Sequence, residues 1–169
     1  MQTLTISKPD DFHLHLRDGE AMSSVVNYSA AQFSRAIVMP NLKPPITTVD
    51  MAVSYYNRIL DGVNEEYNFE PLMTLYLTDN MSPSEIDKAA ETKSITALKY
   101  YPAGATTNSD SGVTDIKKIY SVLEAMMKNG LPLLLHGEVN DIEVNVFDRE
   151  KDFYYHVKFF LLQVAKLDK

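Results

Sequence analysis

Cysteine is absent from this 169-residue sequence. Disulfides, thiolate nucleophiles and sulfur-ligated metals are therefore excluded, and any metal must be held by nitrogen and oxygen. No apolar run approaches the ~20 residues that a membrane-spanning helix needs. The opening Met1-Gln2-Thr3-Leu4-Thr5 lacks the charged-then-apolar pattern of a secretion signal. Basic residues form no stripe, and the 16 Lys and Arg are outnumbered by 23 Asp and Glu, for a net charge of −7. Neither nucleic acid nor a membrane is an expected partner, and the cytoplasm is the default location. No Gly-x-Gly-x-x-Gly or phosphate loop follows any apolar run. What is present is ordinary for a globular protein, with 45% apolar and 23% charged residues. The length suits one domain, residues 1–169, with a sizeable core.

The stretch Asp10-Asp11-Phe12-His13-Leu14-His15-Leu16-Arg17-Asp18-Gly19 stands out. It reads as a short first strand with a His-x-His pair near its end. Residues i and i+2 of a strand face one side, about 6–7 Å apart. Neutral imidazoles so placed can close on one zinc-like ion. Alone the pattern is weak, because polar decoration produces it too.

Further along, the spacing predicts helices over 21–33, 48–60, 84–91, 115–128 and from about 149. Thr48 is the expected N-cap of the second, and Asn129-Gly130 the stop of the fourth. The last helix is expected to turn Phe153, Val157, Phe160, Leu161 and Val164 inward. Short apolar runs predict strands over 35–41, 71–77, 95–101 and 131–136. Residues 103–112, small and polar, predict a mobile surface loop of the kind that serves as a lid. The result is a β-α unit repeated five times at intervals of roughly 25–35 residues, an α/β chain with a parallel sheet. Two architectures fit. One is an open doubly wound sheet; the other is an eight-fold barrel, normally ~250 residues, of which this supplies five units.

In both, function gathers at the carboxyl ends of the strands. Those ends carry His13, His15, Arg17, Asn41, Lys99 and His136, including three of the four histidines. His156, on the last helix, reads as a surface residue. A Lys in an apolar strand either snorkels out or stays neutral, because burial disfavours its charge. A neutral Lys99 can take up carbon dioxide as a carbamate whose two oxygens bridge two metals. His13 and His15 would bind one metal and His136 the other. Such a pair, about 3.5–4 Å apart, activates water and polarises a carbonyl. Arg17 and Asn41 would clamp a substrate carboxylate. The plainer readings are a surface salt bridge for Arg17 and a turn residue for Asn41.

Five segments together resemble dihydroorotase, of the free-standing bacterial and fungal type within the amidohydrolase superfamily. They are Phe12-His13-Leu14-His15-Leu16-Arg17-Asp18-Gly19, Val38-Met39-Pro40-Asn41, Leu98-Lys99-Tyr100-Tyr101-Pro102-Ala103, Ala105-Thr106-Thr107-Asn108-Ser109 and Leu135-His136-Gly137-Glu138. The resemblance runs on to Phe147-Asp148-Arg149-Glu150. It implies a (β/α)8 TIM-type barrel with two zinc ions bridged by a carboxylated lysine. The implied reaction is reversible closure of N-carbamoyl-L-aspartate to L-dihydroorotate in de novo pyrimidine synthesis. By the resemblance, His13 and His15 bind the more buried metal, Lys99 is the bridge and His136 binds the second metal. Arg17 and Asn41 take the α-carboxylate, while Thr106 and Thr107 belong to a loop that closes over substrate. A homodimer is the family's common assembly.

The family pattern continues with a sixth strand bearing another metal-binding His, then an Asp that acts as general acid/base. This sequence reaches Lys166-Leu167-Asp168-Lys169 where that strand is expected, so no residue here takes either role. The expectation is the N-terminal five-eighths of a barrel with two open edges, inactive when taken alone. Hydrolysis of dihydroorotate by the pure 169-residue chain would refute that. Two other readings compete: a hydantoinase-like hydrolase of another cyclic amide, and an inactive dihydroorotase-like domain acting as scaffold for a partner such as a carbamoyltransferase.

Overall fold

The computed structural model describes the backbone of residues 3–164; in the last helix it describes side chains as far as His156, and that of Lys158. The elements alternate: β1 (Asp10–Leu14), α1 (Gly19–Gln32), β2 (Arg35–Val38), α2 (Val49–Gly62), β3 (Glu70–Tyr76), α3 (Pro83–Glu91), β4 (Ile95–Tyr100), a 3-10 turn (Ile116–Ile119) running into α4 (Tyr120–Asn129), β5 (Leu133–Leu135) and α5 (Arg149–Val164). Local chemistry sets the helix ends. The Thr48 hydroxyl accepts from the Met51 N–H at 3.3 Å, Pro83 occupies the first turn of α3, and Gly130 closes α4 in the left-handed conformation, φ 68°.

All five strands are parallel and lie in the order β1-β2-β3-β4-β5. A doubly wound sheet reverses its strand order at a switch point. Here each strand adds to the same edge, which is barrel winding. The sheet also curls. Laid flat, four inter-strand spacings would hold β1 and β5 about 19 Å apart, well beyond the ~10 Å over which exposed charges interact in salt. Yet after burial, both Lys99 on β4 and His136 beside β5 help to lower the pKa of His13 on β1. The fold is a curled half-barrel.

The core fills the space between sheet and helices. Val26, Ala30, Ala36, Val38, Ile59, Leu75, Ile86 and Leu98 are all buried in it. Truncating one of these, Ile59→Ala for example, would cost about 2–5 kcal/mol. The opposite, concave face carries larger polar groups, with Tyr76 in register with Lys99.

Most expected boundaries shift by a residue or two, and three shifts have a visible cause. β2 ends at Val38, although the Met39 N–H still donates to Leu14, because the Pro40 carbonyl turns back to accept from Leu42 and Ile46. The first turn of the fourth helix is 3-10, with the Asp115 side chain accepting from Lys117 N–H. β5 is short, though hydrogen bonds to Pro132 O and from His136 N extend the ladder on both sides. On α5, Phe153 is half-buried, while the side chains of Val157, Phe160, Leu161 and Val164 lie outside those described.

Candidate metal centre

His13 lies on β1 and His15 just beyond it. The β1–β2 ladder slips register between Asp11 and Leu14, and the Asp11 carboxylate accepts from the His13 N–H at 2.9 Å. A bulge re-aims side chains. This one accompanies a close approach of the two imidazoles, whose Nε2 atoms are 3.1 Å apart. His15 Nδ1 lies 2.8 Å from Asn41 Oδ1, and Asn41 Nδ2 donates to the Thr107 carbonyl at 3.0 Å. A carbonyl can only accept, so the amide's orientation is set. His15 Nδ1 must therefore donate, and its Nε2 keeps a lone pair.

Lys99 on β4 is 3% exposed. Its Nζ donates to the Leu135 carbonyl at 3.2 Å and stands 5.2 Å from the centre of the Tyr101 ring. Burial pushes the Lys99 pKa down, favouring the neutral amine. Burial also pushes down both histidines, next helped by Lys99 at His13 and by the His13 charge at His15. Both rings are then neutral at pH 7, the state that binds metals.

His136 follows β5. Its backbone N–H donates to Tyr100 at 3.0 Å, and its Nε2 meets the Glu138 carboxylate at 3.1 Å. Among the described residues, no three His, Cys, Asp or Glu side chains converge to hold an ion. The donor set fits a metal in part. Two nitrogens 3.1 Å apart suit neighbouring ligands at about 2.0–2.1 Å from one ion. Lys99 becomes an anionic oxygen donor only as a carbamate. His136 binds only by turning from Glu138.

Arg17 has φ 62°, in the left-handed region, a conformation costing about 1–3 kcal/mol in a non-glycine residue. The Tyr55 hydroxyl donates to its carbonyl and holds it there. The neighbouring Asp18 is engaged by Arg58 at 2.7 Å. Arg17 stands at the wall of a cleft of about 530 Å³ that Lys43, Arg58 and Asn108 also line, together with the acidic Asp18 and Asp50. Asn41 is 2% exposed, with both ends of its amide bonded within the protein. It stands behind His15, where the sequence places it beside Arg17 as a carboxylate clamp.

The loop holding Thr106 and Thr107 has no helix or strand, as expected, and its turns are tied by their own hydrogen bonds. Ser109 Oγ donates to the Thr106 carbonyl at 2.6 Å and accepts from the Thr106 N–H at 2.8 Å. Gly104 N–H bonds Ser109 O, and Ser109 is fully buried. Small polar residues let the backbone turn tightly and satisfy its own hydrogen bonds. Gly112 permits the closing approach, since a Cβ there would lie 2.4 Å from the Tyr101 carbonyl.

Sequence reasoning missed Asp11, Tyr76, Tyr101, Asn108 and Glu138. Tyr101 was legible, because two residues beyond Lys99 it shares that face. It is buried, stacks on Tyr76 with ring centres 5.1 Å apart, and its hydroxyl has no partner among the described residues. Burial raises the Tyr76 pKa to about 12. His156 is on the surface as expected, bonded to the Asp152 carbonyl at 2.8 Å.

The amidohydrolase family profile matches residues 10–166. A dihydroorotase of Delftia acidovorans is 62% identical over 151 residues, 89% of this chain and 43% of the relative. Among solved structures, dihydroorotase from Campylobacter jejuni superposes with a TM-score of 0.83 at 39% identity, covering 92% of this chain and 45% of that one. The Saccharomyces cerevisiae dihydroorotase, in complex with 5-fluoroorotic acid, gives 0.80 at 34% identity, with coverage of 90% and 43%. The chain thus spans somewhat under half the length of these relatives, whose family is generally metal-dependent. On its sequence and its winding, this chain belongs to the amidohydrolase family, and within it stands with the dihydroorotases.

Proposed function

We propose that this chain supplies the metal- and substrate-binding part of a dihydroorotase, which interconverts N-carbamoyl-L-aspartate and L-dihydroorotate. The observation that carries the reading is the convergence of the His13 and His15 Nε2 atoms, 3.1 Å apart, on the face where Lys99 is buried. Its sequence support is 62% identity to a dihydroorotase. His13, His15, Lys99 and His136 would hold two zinc ions, with Lys99 reacting as the neutral amine (amine plus carbon dioxide gives carbamate and a proton). When bound, the metals supply Lewis acidity and a water of lowered pKa.

The chain's own residues do the rest. Burial lowers the Lys99 pKa and so favours its neutral amine. The Asn41 amide holds the His15 tautomer. Arg17, free of a carboxylate partner among the described residues, takes the substrate's α-carboxylate as a bidentate pair. Asn41 can add the second N–H of its Nδ2 to that contact while the first stays on the Thr107 carbonyl. Thr106 and Thr107 sit on the loop beside it and limit water access. An anionic substrate explains an unpaired Arg at the cleft better than a neutral hydantoin does, and the ligand of the yeast relative is likewise acidic. The same reading makes residues 1–169 the N-terminal part of one barrel domain, and carries a homodimer and a cytoplasmic setting. No helix among the described residues is long and apolar enough to cross a membrane.

The test is turnover of dihydroorotate and of hydantoin by the zinc-loaded whole protein, with Arg17→Met beside it. Dihydroorotate hydrolysis that falls at least about a hundredfold in the variant (about 2.7 kcal/mol) supports the reading. Preference for hydantoin overturns it.

A further inference from the structure

Asn41 is tied in more directions than a substrate clamp requires. Its Oδ1 accepts from His15 Nδ1 at 2.8 Å. Its Nδ2 donates to the Thr107 carbonyl at 3.0 Å. Its own carbonyl accepts from Asn108 Nδ2 at 2.9 Å. The Asn108 carbonyl in turn receives the Tyr76 hydroxyl at 3.3 Å, and Asn108 holds φ 56°, a conformation asparagine tolerates better than most residues. A single carboxamide, 2% exposed, therefore bridges an imidazole 26 residues back and a loop 66 residues ahead. The two ends of an amide cannot rotate separately. Displacing the Thr107 carbonyl turns the group and weakens its grip on His15.

We infer that Asn41 is a positioning residue that couples the 102–113 loop to the metal-facing nitrogen of His15. With the loop seated, the amide is locked, Nδ1 is protonated and Nε2 is presented to metal. With the loop lifted, His15 is free to rotate or change tautomer. Loop seating and metal retention then favour each other, and the coupling is reciprocal. The inference rests on the metal reading of His15 and is independent of which substrate is bound.

The experiment measures zinc affinity of the whole protein by competition with a chromogenic chelator, together with hydrogen exchange at the Thr106 and Ser109 amides. Three variants are compared. Asn41→Ala removes both ends of the bridge and should weaken the tighter zinc about 10–100-fold, the usual effect of losing a ligand's supporting hydrogen bond. It should also speed loop exchange. Asn41→Asp keeps an acceptor for His15 but sets an oxygen against the Thr107 carbonyl. Its zinc affinity should stay within about threefold of wild type or tighten, while loop exchange quickens. Asn108→Gly keeps the left-handed backbone and removes the second tie, so the loop should loosen and zinc affinity fall less than in Asn41→Ala. Should Asn41→Ala fail to fold, the contrast between the other two variants decides. Equal zinc affinity in Asn41→Ala and wild type overturns the inference, as does an Asn41→Asp loss as large as that of Asn41→Ala. A wild-type protein that takes up no zinc removes the metal reading itself.

Discussion

The two sides of the concave rim hold their histidines differently. On the β1–β2 side, His15 is gripped through Asn41 by a loop distant in sequence, and the layer behind it is closed: Asn41, Tyr76, Tyr101 and Ser109 are all buried. On the β5 side, His136 is met by Glu138, only two residues away in the chain. A partner two residues off needs no tertiary structure and leaves the ring free to turn. A partner brought from another strand and locked by a loop selects one tautomer in advance. The difference separates a prepared ligand from an adaptable one.

The comparison can be broken most severely at the residue between the two sides. Lys99→Met should abolish turnover by at least about a thousandfold, equivalent to about 4 kcal/mol, and lower zinc content by elemental analysis. Retention of both would leave the histidines joined by something other than Lys99. Next in size is Gly112→Ala, whose new Cβ would sit 2.4 Å from the Tyr101 carbonyl. A cost of about 1–3 kcal/mol should appear in urea unfolding, confined to the tied side.

Tyr101→Phe sharpens the contrast instead. Its hydroxyl lacks a partner among the described residues, so stability should hold or rise by up to about 1–3 kcal/mol. A marked loss would mean that the phenol is hydrogen-bonded after all. On the looser side, Glu138→Gln should change zinc affinity less than about tenfold, less than Asn41→Ala does, because His136 is not locked. An equal effect would erase the distinction between the sides.

The smallest effect concerns acid stability. Asp79 braces the far end of the loop through Thr114 and Lys118, the latter at 2.8 Å. The Lys118 hydrogen bond foremost lowers its pKa from 3.8 to about 2. A carboxylate depressed on folding stabilises fully above its unfolded pKa, and that contribution is lost as pH falls from there through about 2. Asp79→Asn should therefore flatten the acid limb of a stability–pH profile, its loss being largest near neutrality and vanishing as pH falls toward about 2.

Much of this was legible in the chain. The β-α alternation followed from apolar runs and helical spacing, because each element must bury one face. Thr48 and Gly130 marked helix ends by chemistry that acts within a few residues. The polar residues at strand ends pointed to one rim, since function in parallel α/β folds gathers there. Periodicity left the choice between an open sheet and a barrel undecided, because both share the same local pattern and differ only in which edge each new strand joins; the resemblance to dihydroorotase pointed to the barrel, and the winding bears it out. Nor was the bulge at β1, which arises from pairing with β2 and from Asp11 capping the His13 N–H. How the 103–112 loop is held was not legible for a related reason: composition reports that a segment is small and polar, not whether its hydrogen bonds close on itself or on water.

The sequence by itself determined the inventory and its rough order: nitrogen and oxygen ligands without sulfur, a His-x-His at the first strand, a lysine in an apolar strand, a histidine after the fifth. Those are consequences of covalent order and of periodicity, which act over a few residues. Only the tertiary structure decided that the sheet curls so that β1 and β5 share one electrostatic neighbourhood, and that Asn41 turns its amide to His15 and the loop. Both depend on groups dozens of residues apart in the chain, where the energy comes from burial and from satisfying polar atoms that no local pattern encodes.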